Sequence, residues 1–160
     1  MKPTVLFIVI VWLMGVLDFG LAPHMPVFGV RPDFLLIATV VFSQILSRPG
    51  SAAIGFLSGL IKGAIIGANL THYVFSRAVT AFFGSWFRSS QRGQSTLQIM
   101  VTVFIATIFC NVIFLFTAAP HNVGRFLADT IIAAVYNGVL AAPLYALLSR
   151  FLGLNNRQRL

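Results

Sequence analysis

Five ionisable side chains lie within or at the edges of apolar segments of this chain. Two are bases, Lys62 and Arg77, and three are acids, Asp18, Asp33 and Asp129. A charged group in an apolar, lipid-like environment is costly unless it is paired or hydrated, so such residues are functional candidates. The chemistry open to them is ion pairing or the binding of a charged ligand. We predict that Asp18 pairs with Lys62 or Arg77, and that Asp129 pairs with the other base.

The predicted charge cluster comprises Asp18, Lys62, Arg77 and Asp129, and three interpretations of it are open. The long basic side chains could extend to lipid headgroups at the membrane surface. The charges could instead form an ion-pair network that locks helices together. In the third interpretation they line a water-filled cavity that binds a ligand or a segment of a partner protein. The residue types are compatible with all three.

Residue patterns typical of catalysis or metal binding are absent from the sequence. The chain has no glutamate, His24, His72 and His121 occur singly, and Cys110 is its one cysteine. Ser58 has no neighbouring base that would activate it as a nucleophile. We therefore predict a protein that is not an enzyme and that has no catalytic residue, no metal site and no cofactor.

The composition is that of an integral membrane protein. Hydrophobic residues make up 58% of the 160 residues and charged residues 9%, and the mean hydropathy is +0.93. A soluble domain carries about 25% charged residues. Eleven Lys and Arg against three acidic residues give a net charge of +8. Because the basic residues are scattered between apolar runs, we predict contact with membrane lipid and no contact with nucleic acid.

Apolar runs separated by Pro, Gly and polar residues predict the architecture. We predict an all-α integral membrane protein, a compact bundle of about six transmembrane helices in a single domain that covers residues 1–160. Several runs are shorter than the ~20 residues that cross a bilayer, so five spans are the alternative. A short basic tail begins at about residue 151. The predicted helices cover residues 4–22, 33–47, 51–68, 71–88, 96–118 and 124–151.

The basic residues predict the orientation of this bundle. Cytoplasmic ends of membrane helices collect Lys and Arg. With both termini in the cytoplasm, the outer connections hold only Arg31 and Arg125, while seven basic residues lie at the inner end. We therefore predict that both termini are cytoplasmic. The seven are Lys2, Arg48, Arg88, Arg92, Arg150, Arg157 and Arg159.

A row of glycines recurs at every fourth position of the third predicted helix. Gly55, Gly59, Gly63 and Gly67 share one helix face, because four residues make slightly more than one turn. Faces of small residues let helix backbones approach closely in lipid. Such a row predicts helix packing, favouring an internal seam of the bundle, with a contact face for a separate protein as the alternative.

Three stretches of sequence resemble a known family. They are Arg31 to Leu36 (RPDFLL), Gly55 to Leu60 (GFLSGL) and Asn137 to Arg150 (NGVLAAPLYALLSR). In this order and spacing the chain resembles the rod-shape-determining membrane protein family MreD. The motif positions outside the glycine row are Pro32, Asp33, Asn137 and Pro143. One departure is Lys62, because the family commonly has an acidic residue near this position.

The resemblance implies a non-catalytic subunit of the bacterial cell-elongation machinery, which controls rod shape and peptidoglycan synthesis from the plasma membrane. The implied partners are an MreC-like scaffold, a RodA-like glycosyltransferase with its class B penicillin-binding transpeptidase, and, indirectly, MreB filaments. The bundle of that family also resembles the S-components of energy-coupling-factor transporters. The alternative function is therefore the substrate-binding S-component of a vitamin or nutrient transporter.

Overall fold

The computed structural model describes residues 3–87 and 95–151, with side chains from residue 5 onward. Within these ranges the chain forms six α-helices, two short 3-10 helices and no β-strand. The all-α membrane bundle is thereby confirmed, whereas the predicted basic tail lies outside the described residues beyond Phe151. The α-helices are α1 (Pro3–Gly20), α2 (Phe34–Ser43), α3 (Arg48–Ile66), α4 (Leu70–Gly84), α5 (Thr96–Ala118) and α6 (Val123–Phe151).

Polar side chains and one glycine fix several helix ends. Asp33 accepts a hydrogen bond from the backbone N–H of Leu36 at 2.8 Å and begins α2. Ser47 and Ser95 accept equivalent hydrogen bonds at the starts of α3 and α5. Such caps satisfy N–H groups that have no partner within the helix. Gly67 ends α3 in a left-handed conformation, with φ of 71°, which glycine adopts without strain.

Successive helices run in opposite directions. Phe7 packs edge-on against Phe42 near the start of α1, and Asp18 contacts Phe34 near its end, so α1 and α2 are antiparallel. The later helices alternate in the same way. The glycine row shows this for α3 and α4, aromatic contacts show it for α4 and α5, and polar contacts show it for α5 and α6.

The alternation brings Pro3 and Phe151 to the same end of the bundle, which we name the termini end. The opposite end, the loop end, holds residues 21–33, 67–69 and 119–122. Both ends of the described chain therefore lie on one side, as a bundle with an even number of alternating helices requires.

The short helix α2 occupies the centre of the bundle. All ten of its residues are buried, and it contacts each of the other five α-helices. Ten residues extend only ~15 Å, about half of the ~30 Å hydrocarbon layer. The helix is therefore enclosed by protein instead of crossing the bilayer against lipid.

The six described α-helices differ in length. Among the described residues, four helices are long and apolar enough to cross a membrane. The central helix α2 is too short, and α4, with 15 residues, reaches ~22 Å. Both short helices pack against longer helices, whose outer faces are apolar. The four candidate spans are Val5–His24, Arg48–Ile66, Thr96–Ala118 and Val123–Phe151.

Three of the four glycines in the row lie against α4. A Cβ atom at Gly55 would be 2.5 Å from the carbonyl oxygen of Arg77, and one at Gly59 would be 2.5 Å from the Cα atom of Val74. At Gly63 the added atom would be 2.6 Å from Leu70. These distances leave no room for a separate protein, so the three glycines form an internal seam between α3 and α4.

The fourth glycine of the predicted row has a different role. A Cβ atom at Gly67 would meet nothing within 4 Å. Its positive φ takes the chain out of α3 into the turn before α4, so the helical spacing that places the other three on one face no longer applies. Gly67 is therefore a helix cap and not a packing position.

Replacing Gly59 with alanine is expected to destabilise the chain by about 1–3 kcal/mol, because the added methyl group meets backbone atoms that cannot move aside. The check is the thermal melting of the detergent-purified variant. Gly20→Ala is the matched control, since a Cβ atom there meets nothing within 4 Å. Within a helix alanine is favoured over glycine by about 1 kcal/mol, so the contact at Gly59 has to outweigh this gain. Equal melting temperatures for the two variants would contradict a tight seam.

Candidate functional site

Asp33 is the residue on which the polar centre of the bundle is built. It follows the buried Pro32 at the point where the loop end meets α2. One carboxylate oxygen caps α2, and its backbone N–H donates a hydrogen bond to Oδ1 of Asn137 at 3.0 Å. Backbone and side chain are thus both fixed, and the second carboxylate oxygen is directed toward α3 and α4.

Arg77 reaches this second oxygen from α4. The residue is 1% exposed, and its NH2 group forms an ion pair with Oδ2 of Asp33. Its NH1 group donates to the hydroxyl of Ser58 at 3.4 Å, while Nε has no hydrogen-bond partner within the described residues. Because Gly55 has no side chain where the Arg77 backbone passes, the guanidinium can lie inside the bundle.

Lys62 joins the two acids from the opposite side. Its Nζ lies 2.7 Å from Oδ2 of Asp18 and 3.5 Å from Oδ2 of Asp33. The other oxygen of Asp18 accepts a hydrogen bond from the N–H of Phe34 at 2.7 Å. Both carboxylates therefore lie at the positive end of the α2 dipole. We call Asp18, Asp33, Lys62 and Arg77 the ion-pair network, which has no net charge.

Asn137 connects this network to the two longest helices. Its Oδ1 accepts from Asp33, and its Nδ2 donates to the hydroxyl of Thr107 at 3.4 Å. Thr107 lies at the midpoint of α5, and Asn137 at the midpoint of α6. Counted by helical rise, the contact is roughly 16 Å from each end of α5 and 21 Å from each end of α6. The hydrogen bonds of Asn137 therefore extend the network to the midpoints of α5 and α6, while Asp18 and Lys62 lie near the loop-end termini of α1 and α3.

The ends of α1 and α3 leave an opening above the network. A cavity of about 450 Å³ lies at the loop end, lined in part by Asp18, Lys62, Arg31 and Pro32. The side chain of Lys62 is 15% exposed, whereas that of Asp18 is fully enclosed. The arrangement combines two of the three interpretations, an ion-pair network and a polar cavity beside it. The first interpretation, in which Arg77 extends to lipid headgroups, does not fit because Arg77 is buried.

One residue of the predicted charge cluster lies elsewhere. Asp129 has a side chain that is 48% exposed, and it pairs with Arg125 of the same helix at 3.9 Å. Of the two predicted partners of Asp18, Lys62 is the one that it contacts, whereas the partner of Arg77 is Asp33 and not Asp129. On α6, Asn137 faces inward whereas Asp129 faces outward, because helical periodicity and not depth decides which residues meet the core.

The two prolines of the family-like motif, Pro32 and Pro143, lie in different surroundings. Pro32 is buried beside the network, whereas Pro143 lies within α6 on its exposed face.

The sequence contains a signal for the position of Asp33, because an aspartate directly before an apolar run is a typical helix cap. A cap at the start of a buried helix necessarily brings a carboxylate into the protein interior.

No group of three or more His, Cys, Asp or Glu residues that could hold a metal ion occurs in the described part of the chain. The hydroxyl of Ser58 accepts from Arg77 and donates to the carbonyl oxygen of Gly55 at 3.4 Å. The arrangement can therefore hold helices together electrostatically and can present charge to the cavity.

No family model, curated protein or solved structure matches the chain.

Replacing Asp33 with asparagine is expected to destabilise the chain by about 3–5 kcal/mol, because Arg77 would stay buried without its carboxylate. Asparagine is also a good helix cap, so the loss reports the missing charge. Thermal melting in detergent is the measurement. The control, Asp129→Asn, removes an exposed carboxylate and is expected to change the stability by no more than about 0.5 kcal/mol. Comparable melting temperatures for the two variants would exclude a stabilising network.

The ion pair between Asp18 and Lys62 can be tested by the same thermal melting measurement. Asp18→Asn and Lys62→Met each remove one partner of the 2.7 Å ion pair, whereas the double variant removes both partners together. After Asp18→Asn, Lys62 keeps only its longer 3.5 Å contact with Asp33. The double variant should therefore lose clearly less stability than the sum of the single losses. Strict additivity would argue against coupling between the two side chains.

Proposed function

We propose that the chain is a non-catalytic membrane subunit of the bacterial cell-elongation machinery, of the kind that the MreD resemblance implies. One observation carries the proposal. Asp33 and Asn137 belong to different stretches of the resemblance, 104 positions apart, yet the N–H of the first donates to the side chain of the second at 3.0 Å. A pattern whose separate parts meet in one buried network is easier to explain by shared ancestry than by chance composition.

The mechanism would be binding and positioning. The ionisable groups at the centre of the bundle neutralise one another, so they make a rigid body and leave no obvious base or nucleophile. The partners would be an MreC-like scaffold, a RodA-like glycosyltransferase and its class B transpeptidase, with MreB filaments reached indirectly. They would contact the outer faces of the helices, because three of the four row glycines already face α4.

The proposed location is the bacterial plasma membrane, with both termini in the cytoplasm. Arg48 and Arg150 lie at the termini end, whereas Arg31 and Arg125 lie at the loop end. Since cytoplasmic ends collect Lys and Arg, this distribution supports an inward-facing termini end.

The proposal predicts stable association with the MreC-like protein of the same bacterium. The two chains are co-expressed, solubilised in mild detergent and purified through a tag on the chain described here. The MreC-like protein should co-purify in a fixed ratio, and loss of the chain from cells should make them wider or round. A polytopic membrane protein of similar size, carrying the same tag, is the control. Recovery no better than with this control, together with unchanged cell shape, would reject the proposal.

The cavity beside the network favours a second candidate, the S-component of a nutrient transporter. Its volume of about 450 Å³ and its mixture of apolar and charged lining residues are suited to a small metabolite. The ionisable residues in that lining are Asp18, Arg31 and Lys62. Arg31 is exposed and lies outside the helices, so replacing it should affect binding more than folding.

This second candidate predicts that a vitamin or related nutrient stabilises the detergent-purified chain. A ligand present at 100 times its Kd raises the free energy of unfolding by about 2.7 kcal/mol. The melting temperature should rise with such a ligand, and Arg31→Gln should reduce the rise without lowering the melting temperature of the free chain. If no compound in a broad nutrient panel raises the melting temperature, the transporter function is rejected.

A further inference from the structure

A second cavity lies at the other end of the molecule, on its outer surface. It is a groove of about 400 Å³ between α4 and α5. Small buried residues, Thr80, Gly84 and Ala106, lie beneath it, and the half-exposed rings of Phe83 and Phe109 border it. Along α4 and the 3-10 turn that follows, the groove extends ~9 Å from Thr80 to Trp86. It is almost wholly apolar and open toward the lipid.

A polar cleft continues this groove at the termini end. The cleft has a volume of about 620 Å³ and is lined by Ser47, Arg48, Ser85 and Trp86. Trp86 borders both spaces, so the apolar groove and the polar cleft lie side by side. The guanidinium of Arg48 lies over the Trp86 ring, 5.3 Å from its centroid. The cleft therefore presents a cation beside an aromatic ring, as residues at a membrane surface commonly do.

The charge of Arg48 has no carboxylate partner among the side chains of this chain. The sequence contains only three acidic residues. Asp18 and Asp33 are held in the ion-pair network, and Asp129 pairs with Arg125 near the loop end. No acidic side chain of this chain is left to neutralise Arg48, so the site can accept a carboxylate or phosphate from another molecule.

We propose that the groove and the cleft together bind one anionic phospholipid. An acyl chain lies in the groove, and the phosphate lies in the cleft against Arg48. The hydroxyl of Ser47 accepts from Gly50, so its hydrogen remains free to donate to a phosphate oxygen. The positive end of α3, which begins at Arg48, favours the same charge.

The dimensions favour a lipid over a partner helix. A transmembrane helix crosses about 30 Å of hydrocarbon, so a groove of ~9 Å with a polar cleft beside it would contact only a small part of such a helix. A helix would also bring no charge to Arg48 unless it carried an acid at that depth. An amphiphile with one apolar chain and one anionic headgroup matches both spaces at once.

The test measures which phospholipids stay bound to the full-length chain. Detergent-purified protein is incubated with equal amounts of phosphatidylglycerol and phosphatidylcholine, and bound lipid is counted by native mass spectrometry. Phosphatidylglycerol should be retained preferentially. Arg48→Gln should lower that preference about fivefold, which is the factor given by about 1 kcal/mol per basic residue at a membrane surface. Arg150→Gln, which removes an equal charge from the same end, should leave the preference unchanged.

A second pair of variants tests the groove. Thr102→Phe should fill the space for the acyl chain and reduce retention of both lipids, whereas Val101→Phe, on the exposed face of the same helix, should not. If Thr102→Phe melts at a lower temperature than the parent chain, Ile105→Trp on the exposed rim replaces it.

Several results would overturn the proposal. Equal retention of the two lipids, or an unchanged preference in Arg48→Gln, would mean an ordinary layer of surrounding lipid. Displacement of phosphatidylglycerol by excess inorganic phosphate would mean a site for soluble anions. Retention that survives filling of the groove would mean that no acyl chain lies there. Loss of bound lipid when the MreC-like protein is added would mean that a partner is the true occupant.

Discussion

The ion pair between Asp33 and Arg77 is the interaction on which the rest of the bundle depends. A guanidinium can lie at the centre of a membrane bundle only beside a carboxylate, and it can reach that place only if α3 and α4 approach closely. The glycines of α3 allow the approach. Asp33 in turn fixes where α2 begins, and this accounts for a central helix that is short, buried and directed away from the loop end.

The same arrangement determines what the centre of the protein can do. Each charge of the network has an opposite charge within contact distance, and each acid also accepts a backbone hydrogen bond. Groups bound in this way stabilise a single packing of the helices and have little freedom to exchange protons or attack a substrate. The other features open to the surroundings are the loop-end cavity, the exposed helix faces and the groove at the termini end.

Much of the fold could be predicted from sequence because apolar runs and their polar interruptions mark membrane helices directly. The pairing of Asp18 could be predicted only as a choice between Lys62 and Arg77, and the contact at 2.7 Å selects Lys62. The assignment of Asp129 to the cluster was wrong because depth in the membrane does not specify the side of the helix. The length of α2 was overestimated because its apolar run continues beyond Ser43, where the backbone already turns toward α3.

The neutrality of the ion-pair network has an electrical consequence. A membrane potential does work of about 2.3 kcal/mol per elementary charge per 100 mV on a charge that crosses it. Two carboxylates and two bases at nearly the same depth carry no net charge, so the voltage exerts almost no net force on the centre of this bundle. A change in membrane potential is therefore not expected to displace the ion-pair network.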